Sequence, residues 1–352
     1  MKTPHTGGRM ARKPTITALA REAGLGVATI DRVLHDRPNV SPRARMQVAE
    51  AAVRIGYPLP AALRDAVTGS LPQVTLGFVL HKRGQTFYQR FAEEIGRACA
   101  ARRDVGIRPQ IRFAASQAPG DFAAEITALS DDCQAIAASA VNHASLSRLA
   151  GDLARRGLPV FSMLNDFAGS SGSGYLGLDN LRVGRLAGWM MATRLQAPGK
   201  VAVFVGGTRW HGQAMRDTGF RTYLRDHAPR ITVLDTAVNL ETRAVTHEAT
   251  LDLLDRVPEL SGLYVAGGGM EGAIAALRVA RAPDRVTLIV NELTADSRRA
   301  LAEGYVTMAI ATPLEQLCVD LVDRMVGAVL SPDAKRPALR NPDPMLYLPE
   351  SV

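Results

Sequence analysis

The sequence predicts an α/β protein of two Rossmann-like lobes preceded by a small all-α unit, and three observations predict it. From residue 74 onward, short Val-, Ile- and Leu-rich runs alternate with amphipathic segments of 10–17 residues, the pattern of parallel sheets covered by helices on both faces. The runs are too many for one small sheet. Residues 15–57 lack them and carry instead the start and stop signals of three short helices.

The runs are 74–80 (VTLGFVL), 135–141 (AIAASAV), 159–164 (PVFSML), 200–206 (KVAVFVG), 262–267 (GLYVAG), 286–292 (VTLIVNE) and 306–311 (VTMAIA). In the N-terminal unit, Thr17 is the expected N-cap of a helix ending at Ala23, and a tight turn follows at Gly24-Leu25-Gly26. A second helix runs from Val27 to about Leu34. The third has Ser41 as N-cap, Pro42 at the first helical position and Gly56 just past the end. The expected division is a basic arm over 1–14, the helical unit over 15–57, a Pro-bounded linker over 58–73 and the two lobes over 74–352.

With 352 residues, 47% hydrophobic and 22% charged, the chain can bury one small and one large core and is not a disordered polymer. No apolar run approaches the roughly 18–20 residues that span a bilayer, so no membrane partner is expected. The basic start has no apolar stretch behind it, which predicts no signal peptide and a cytoplasmic location. Cys99, Cys133 and Cys318 have neither metal-knuckle nor disulfide spacing and read as buried thiols. The charge is unevenly placed: residues 1–73 hold 11 Lys/Arg against 5 Asp/Glu, and the rest 31 against 29. A basic head on a nearly neutral body points to a polyanion partner for the head.

A helix-turn-helix needs a small residue where its helices touch, a glycine-containing turn and an apolar anchor on the second helix; Ala20, Gly24 and Ile30 supply these. The second helix can then enter a major groove. Val27 and Ala28 suit thymine methyls, Thr29 can reach a phosphate, and Arg32 can fork onto guanine. An ordinary helical hairpin is the plain alternative.

The stretch TITALAREAGLGVATIDRVLHDRPNVSPRARMQVAEAAVRIGY, ending in Gly56-Tyr57, resembles the head of the LacI/GalR family of bacterial repressors. The resemblance implies Val27, Ala28 and Arg32 as base readers and Thr29, Asn39 and Ser41 as phosphate contacts. It departs from the family at Gly26 and Asp31, where serine is usual. In register, the leucine with which the family's hinge helix wedges into the minor groove falls at Ala66, followed by Val67, and the nearest leucine is Leu63. Alanine is too short to unstack a base step well.

Residues 74–350 resemble the same family's effector domain, a periplasmic-binding-protein-like fold, through GQTFYQRF (84–91), YLGLDNLRVGR (175–185), HGQAMRDTGFRTYL (211–224), LYVAGGGMEG (263–272) and VNELT (290–294). Implied are two lobes joined by three crossovers and closing on a small sugar-like effector. Sugar sites need forked polar groups and aromatic faces. Phe87 and Tyr88 would sandwich a ring, one of them being expected instead in core packing. Gln85, Arg216 and Glu292 would grip hydroxyls; Asn142 and Asp166 follow strand runs; Gly267 belongs to the cleft wall. Thr312 stands where relatives often carry glutamine or aspartate. Asp179-Asn180 reads as structural.

Gly267 to Gly272 also satisfies G-x-G-x-x-G after a strand, with Glu292 20 residues further on, so an NAD(P)-binding oxidoreductase is an alternative. Against it, the fingerprint normally opens its domain, and here about 190 residues of α/β pattern precede it. The seven histidines lack metal-ligand spacing and no hydrolase or metalloprotease motif occurs. The expectation is therefore a homodimeric, non-enzymatic regulator without cofactor or metal, whose grip on double-stranded operator DNA a sugar, polyol or derivative controls. A sugar-binding protein without regulatory role is the remaining alternative.

Overall fold

The computed structural model describes residues 14–60, 63–64, 71–334 and 340–352. The basic arm before Pro14 and the expected wedge at Ala66 and Val67 lie outside the described residues. The chain divides into two compact units, one of residues up to 74 with 100–108, the other of 75–99 with 109–352.

In the first unit, helix α1 (Ile16–Ala23) starts two residues earlier than its expected cap allows. The cap is Thr15, whose extended backbone lets its hydroxyl accept from the Ala18 amide at 3.2 Å; Thr17 lies inside the first turn. Gly24 ends the helix at φ 64, a left-handed conformation that favours glycine. Helix α2 (Val27–Leu34) begins at Gly26 with no side-chain cap. Helix α3 (Pro42–Ile55) has the expected Ser41 cap, N-terminal proline and left-handed Gly56. Leu19, Ala20, Ile30, Val33, Val48 and Ala52 form the shared core. Gln47 donates to the Ala23 carbonyl at 2.9 Å and Arg54 to Glu22 at 2.7 Å, fixing α3 against α1. Leu59 and Leu63 join this core.

The second unit holds two sheets. The first contains β1 (Gln73–His81), β2 (Gly106–Ala114), β3 (Ala135–Ala138), β4 (Val160–Met163) and β5 (Tyr175–Leu176) in the order β2-β1-β3-β4-β5. The second contains β6 (Gly199–Val205), β7 (Ile231–Val233), β8 (Ala237–Val238), β9 (Leu260–Val265), β10 (Thr287–Asn291), β11 (Met308–Ala311) and β12 (Met345–Tyr347). Its order is β12-β11-β10-β9-β6-β7, with β8 beside β6. Without β12, each sheet repeats one doubly wound order, whose direction reverses between β1 and β3 and again between β6 and β9. β12 runs antiparallel to β11 at the edge.

The helices are α4 (Thr86–Ala101), α5 (Pro119–Leu129), α6 (Ala144–Arg155), α7 (Asn180–Arg194), α8 (His211–His227), α9 (Arg243–Arg256), α10 (Met270–Ala280), α11 (Ala295–Ala302) and α12 (Leu314–Leu330). Along β6, Ala202 and Phe204 enter one apolar cluster while Val201, Val203 and Val205 enter the other. Burial on both faces is why these strands read as continuous apolar runs. The chain leaves the first lobe after β5, returns as α12, which packs on β3 and β5, and goes back to end as β12, giving the three expected crossovers. Helices α7 and α8 approach closely at Gly184, where a Cβ would lie 1.9 Å from the Arg216 carbonyl oxygen.

Trp210 breaks the separation of the lobes. It follows β6 in the second lobe, yet its indole is 5% exposed in the first lobe's core. There it stacks on His81, ring centroids 4.9 Å apart, and the Tyr88 ring lies 4.2 Å from His81 on another side. Among the described residues, neither His81 ring nitrogen has a hydrogen-bond partner. Burial lowers the His81 pKa to about 4, the Glu241 charge opposing and Lys82 assisting. The unfolded chain takes up this proton near pH 6.5 and the folded chain only near 4, so the stability is complete above the first value and drains away as pH falls toward the second. Between about pH 7.5 and about pH 5, the wild type should lose roughly 2 kcal/mol more unfolding free energy than His81→Phe. Urea titrations check this; equal losses in the two proteins would place a polar partner or water at His81.

Candidate DNA-facing helix and ligand cavity

Helix α2 presents Val27, Ala28 and Arg32 to solvent, with Thr29 half-buried, while Ile30 and Val33 are at 0% exposure on its inner face. Arg32 makes no hydrogen bond or ion pair among the described residues. Asp31, the unexpected acid on this helix, is bridged by Arg37 at 3.2 Å and by the His35 ring at 3.0 Å, so its charge is partly offset within the head. Asn39 is exposed with φ 65, in the loop entering α3. Ser41 uses its hydroxyl oxygen as the α3 cap, accepting from the Ala44 amide at 3.1 Å, which leaves its O–H free to donate.

In the second unit, the C-terminal ends of the two sheets enclose a cavity of about 420 Å³, a volume in the range of small-molecule sites. The first lobe lines it with Gln85, Phe87, Tyr88, Ser139, Leu164 and Asn165, the second with Gln213, Arg216, Glu241, Gly267, Gly268, Met270, Glu271, Asn291, Glu292, Asp296 and Thr312, among others. Ser139 follows β3 and Gly267 follows β9, one on each strand flanking a reversal of strand order, where open α/β sheets gather ligands.

Arg216 on α8 donates through Nε to Asn180 at 2.7 Å and through Nη1 to the Ala266 carbonyl at 2.9 Å, which fixes the guanidinium and leaves Nη2 for the cavity. The acids of the same helix are taken by other arginines, Asp217 by Arg221 and Asp226 by Arg225. Glu292 follows β10 at φ 74, a left-handed backbone that glutamate rarely adopts. Its carboxylate accepts from the Thr312 hydroxyl at 2.6 Å and from the Thr312 amide at 3.0 Å. Burial pushes the Glu292 pKa up, opposed by these bonds and by the charges of Arg216 and Arg90. Thr312 thus orients the acid.

The floor is held by Glu241, in a loop after β8. It accepts from Lys82 at 2.6 Å, from Gln213 at 2.6 Å and from the Gly268 amide at 3.2 Å. Gln85 reaches the Glu241 carbonyl at 3.4 Å. Burial alone would raise the Glu241 pKa, but Lys82 above all, with His81 and the Gly268 amide, brings it below the usual carboxylate value. The glycine-rich loop therefore points an amide at the protein's own carboxylate, where a dinucleotide site would hold a phosphate. Gly269 and Gly272 serve close packing instead: a Cβ on them would meet Thr246 Oγ1 and the Arg243 carbonyl oxygen, each at 2.2 Å.

Two expected cavity residues are elsewhere. Asn142 donates to the Asp166 carbonyl at 2.7 Å and accepts from Asn165 and the His211 amide; Asp166 accepts from the Gly169 amide at 3.0 Å. Neither lines the cavity, because both are consumed in shaping loops, and Asn165, one residue earlier than Asp166, takes the position. Asn165 also accepts from the Gly212 amide at 2.9 Å, joining the lobes. The structural reading of Asp179-Asn180 holds: Asp179 caps α7 and Asn180 braces Arg216. Nothing in the sequence points to Glu241, Lys82 or Trp210, whereas Gln213 lies within HGQAMRDTGFRTYL (211–224). Cys99, Cys133 and Cys318 are free and buried, as expected. Among the described residues no group of His, Cys, Asp and Glu could hold a metal ion, and no helix is long and apolar enough to cross a membrane.

Residues 76–326 match the periplasmic binding protein domain family. Catabolite control protein A of Priestia megaterium is 36% identical over 81 residues, 23% of this chain, and the match spans 24% of that relative's length. Among solved structures, the chain is similar to GanP, a glucose-galactose binding protein from Geobacillus stearothermophilus, with TM-score 0.72 and 16% identity over 80% of this chain and 99% of that one. A solute binding protein from Burkholderia graminis in complex with D-arabinose gives TM-score 0.71 and 17% identity over 79% and 96%. One from Agrobacterium vitis bound with α-D-tagatopyranose gives 0.71 and 18% over 79% and 95%. These likenesses are ones of fold. With its match over residues 76–326, the chain belongs to the periplasmic binding protein domain family, and a three-helix unit precedes that domain.

Proposed function

We propose that this chain is a DNA-binding transcription regulator, a repressor in the main reading, whose operator affinity is set by a small polyhydroxylated effector. The observation that carries the reading is the combination on one chain: a helix-turn-helix whose second helix exposes Val27, Ala28 and an unpaired Arg32, and a two-lobed cavity of about 420 Å³ with an oriented arginine and glutamate. Val27 and Ala28 meet thymine methyls, Arg32 forks onto guanine, and Thr29, Asn39 and the free O–H of Ser41 reach phosphates. Two copies read a near-palindromic operator, as helix-turn-helix dimers do. In the cavity, Nη2 of Arg216 donates to hydroxyls, Glu292 accepts from them, and Phe87 or Tyr88 covers the ring. The sugars bound by the Burkholderia graminis and Agrobacterium vitis proteins support this ligand class. The function is binding rather than catalysis, in the cytoplasm, without a cofactor.

Selection of duplexes from a random pool, followed by binding of the winner with and without sugars, tests the reading. Affinity should fall steeply with salt. Arg32→Ala should cost about 1–3 kcal/mol and relax the preference at one base pair per half-site. Equal weakening on every sequence would make Arg32 a phosphate contact only. In calorimetry with the sugar that most stabilises the chain, Arg216→Ala should weaken binding by about 1.5–3 kcal/mol. Unchanged affinity would move the effector away from Arg216.

A further inference from the structure

The charges in the cavity are not evenly matched. Glu241 is satisfied by Lys82 and Gln213, and Glu292 by Thr312, with Arg216 and Arg90 nearby. Glu271 and Asp296 are different. They are the second residues of α10 and α11, half-buried, and both line the cavity. Neither makes an ion pair among the described residues. The cations acting on Glu271 are Arg243, exposed at the start of α9, and Lys82, already committed to Glu241. Acids in a first helical turn complement the helix dipole, which accounts for their place in the sequence but not for two of them facing one cavity.

A second observation points the same way. Asn291, 2% exposed at the end of β10 and lining the cavity, leaves its Oδ1 without a hydrogen-bond donor, while its amide nitrogen donates to the Ile310 carbonyl at 3.4 Å. A buried acceptor left unpaired is costly. Glu271, Asp296 and Asn291 thus bring two negative charges and an unpaired acceptor to the cavity lining, where Arg243 is the lining cation that acts on Glu271.

We propose that the effector carries a protonated amine on a polyhydroxylated frame, as an amino sugar does, with the ammonium seated against Glu271 and Asp296. An ammonium brings three donors and one positive charge to a cavity whose lining holds two carboxylates without an ion pair and the unpaired side-chain oxygen of Asn291. A neutral sugar supplies donors but leaves the like charges facing each other. Burial, followed by the Asp296 charge, raises the Glu271 pKa, and a bound cation reverses that push.

The inference rests on the cavity being the effector site, and the test separates the two. Glucosamine, galactosamine and mannosamine are compared with glucose, galactose and mannose, and with their N-acetyl forms, by thermal shift and calorimetry on the full chain. The buffer is held at about pH 6.5, where an amine of ordinary pKa is protonated. One amine should bind at least about tenfold tighter than its neutral counterpart, and acetylation should remove the advantage. A Glu271→Gln, Asp296→Asn double variant, its fold checked by circular dichroism, should lose the preference for the amine. A neutral sugar binding as tightly as its amine overturns the inference and leaves the sugar site standing. An amine preference that survives in the double variant overturns the assigned position. No binding by any of the probes overturns both this inference and the sugar reading.

Discussion

Lys82 reaches from the end of β1 in the first lobe to Glu241 in the second, Nζ to Oε2 at 2.6 Å, with both side chains largely withdrawn from water. Removing one partner of such a buried pair typically costs about 3–5 kcal/mol, because the other charge is left alone in a poor solvent for it. Much of the surrounding architecture follows from satisfying this carboxylate. Gln213 and the Gly268 amide complete its hydrogen bonds, which sets the start of α8 and the glycine-rich loop before α10. Gln213 in turn accepts from the Gly206 amide at 2.6 Å. A run of glycines that could hold a foreign phosphate is thereby occupied by an internal anion.

The same junction fixes the relation of the lobes. Trp210 crosses into the first lobe's core, its Nε1 donating to Gln117 at 3.1 Å, and Asn165 receives the Gly212 amide. An ion pair, an inserted indole and amide bonds thus link the two lobes across the cleft. A ligand can shift a conformational balance only by the difference in its affinity for the two states. An effector in this cavity would act by adding to or competing with the contacts around Glu241, Arg216 and Glu292.

How legible this was depends on the kind of interaction. The central strands were legible because burial on both faces demands uninterrupted Val, Ile and Leu, as in β6 and β10. The edge strands were not: β2 reads GIRPQIRFA, and β5, β7, β8 and β12 have three residues or fewer, with no pattern to detect. In the head, Ser41, Pro42 and Gly56 announced α3, whereas the cap of α1 was read as Thr17 and is Thr15, where the backbone is extended. Cavity residues at strand ends or in motifs were legible: Gln85, Phe87, Tyr88, Arg216, Gly267, Glu292 and Thr312 all line it. Asn142 and Asp166 failed because a strand end does not reveal whether a polar side chain turns to the ligand or to its own loop. Glu241 was invisible, since its partner Lys82 lies 159 residues away and its loop has no strand or helix signal of its own.

The central claim is that the Lys82–Glu241 pair ties the two lobes together across the cleft. Spin labels on Asp132→Cys in the first lobe and Val279→Cys in the second occupy exposed positions, and the native thiols are buried. Pulsed electron paramagnetic resonance on the ligand-free chain then reads the distance between the lobes. The account predicts one narrow distribution for the wild type, and a broader one extending to longer distances for Lys82→Met. A wild-type distribution as broad as that of Lys82→Met would contradict it.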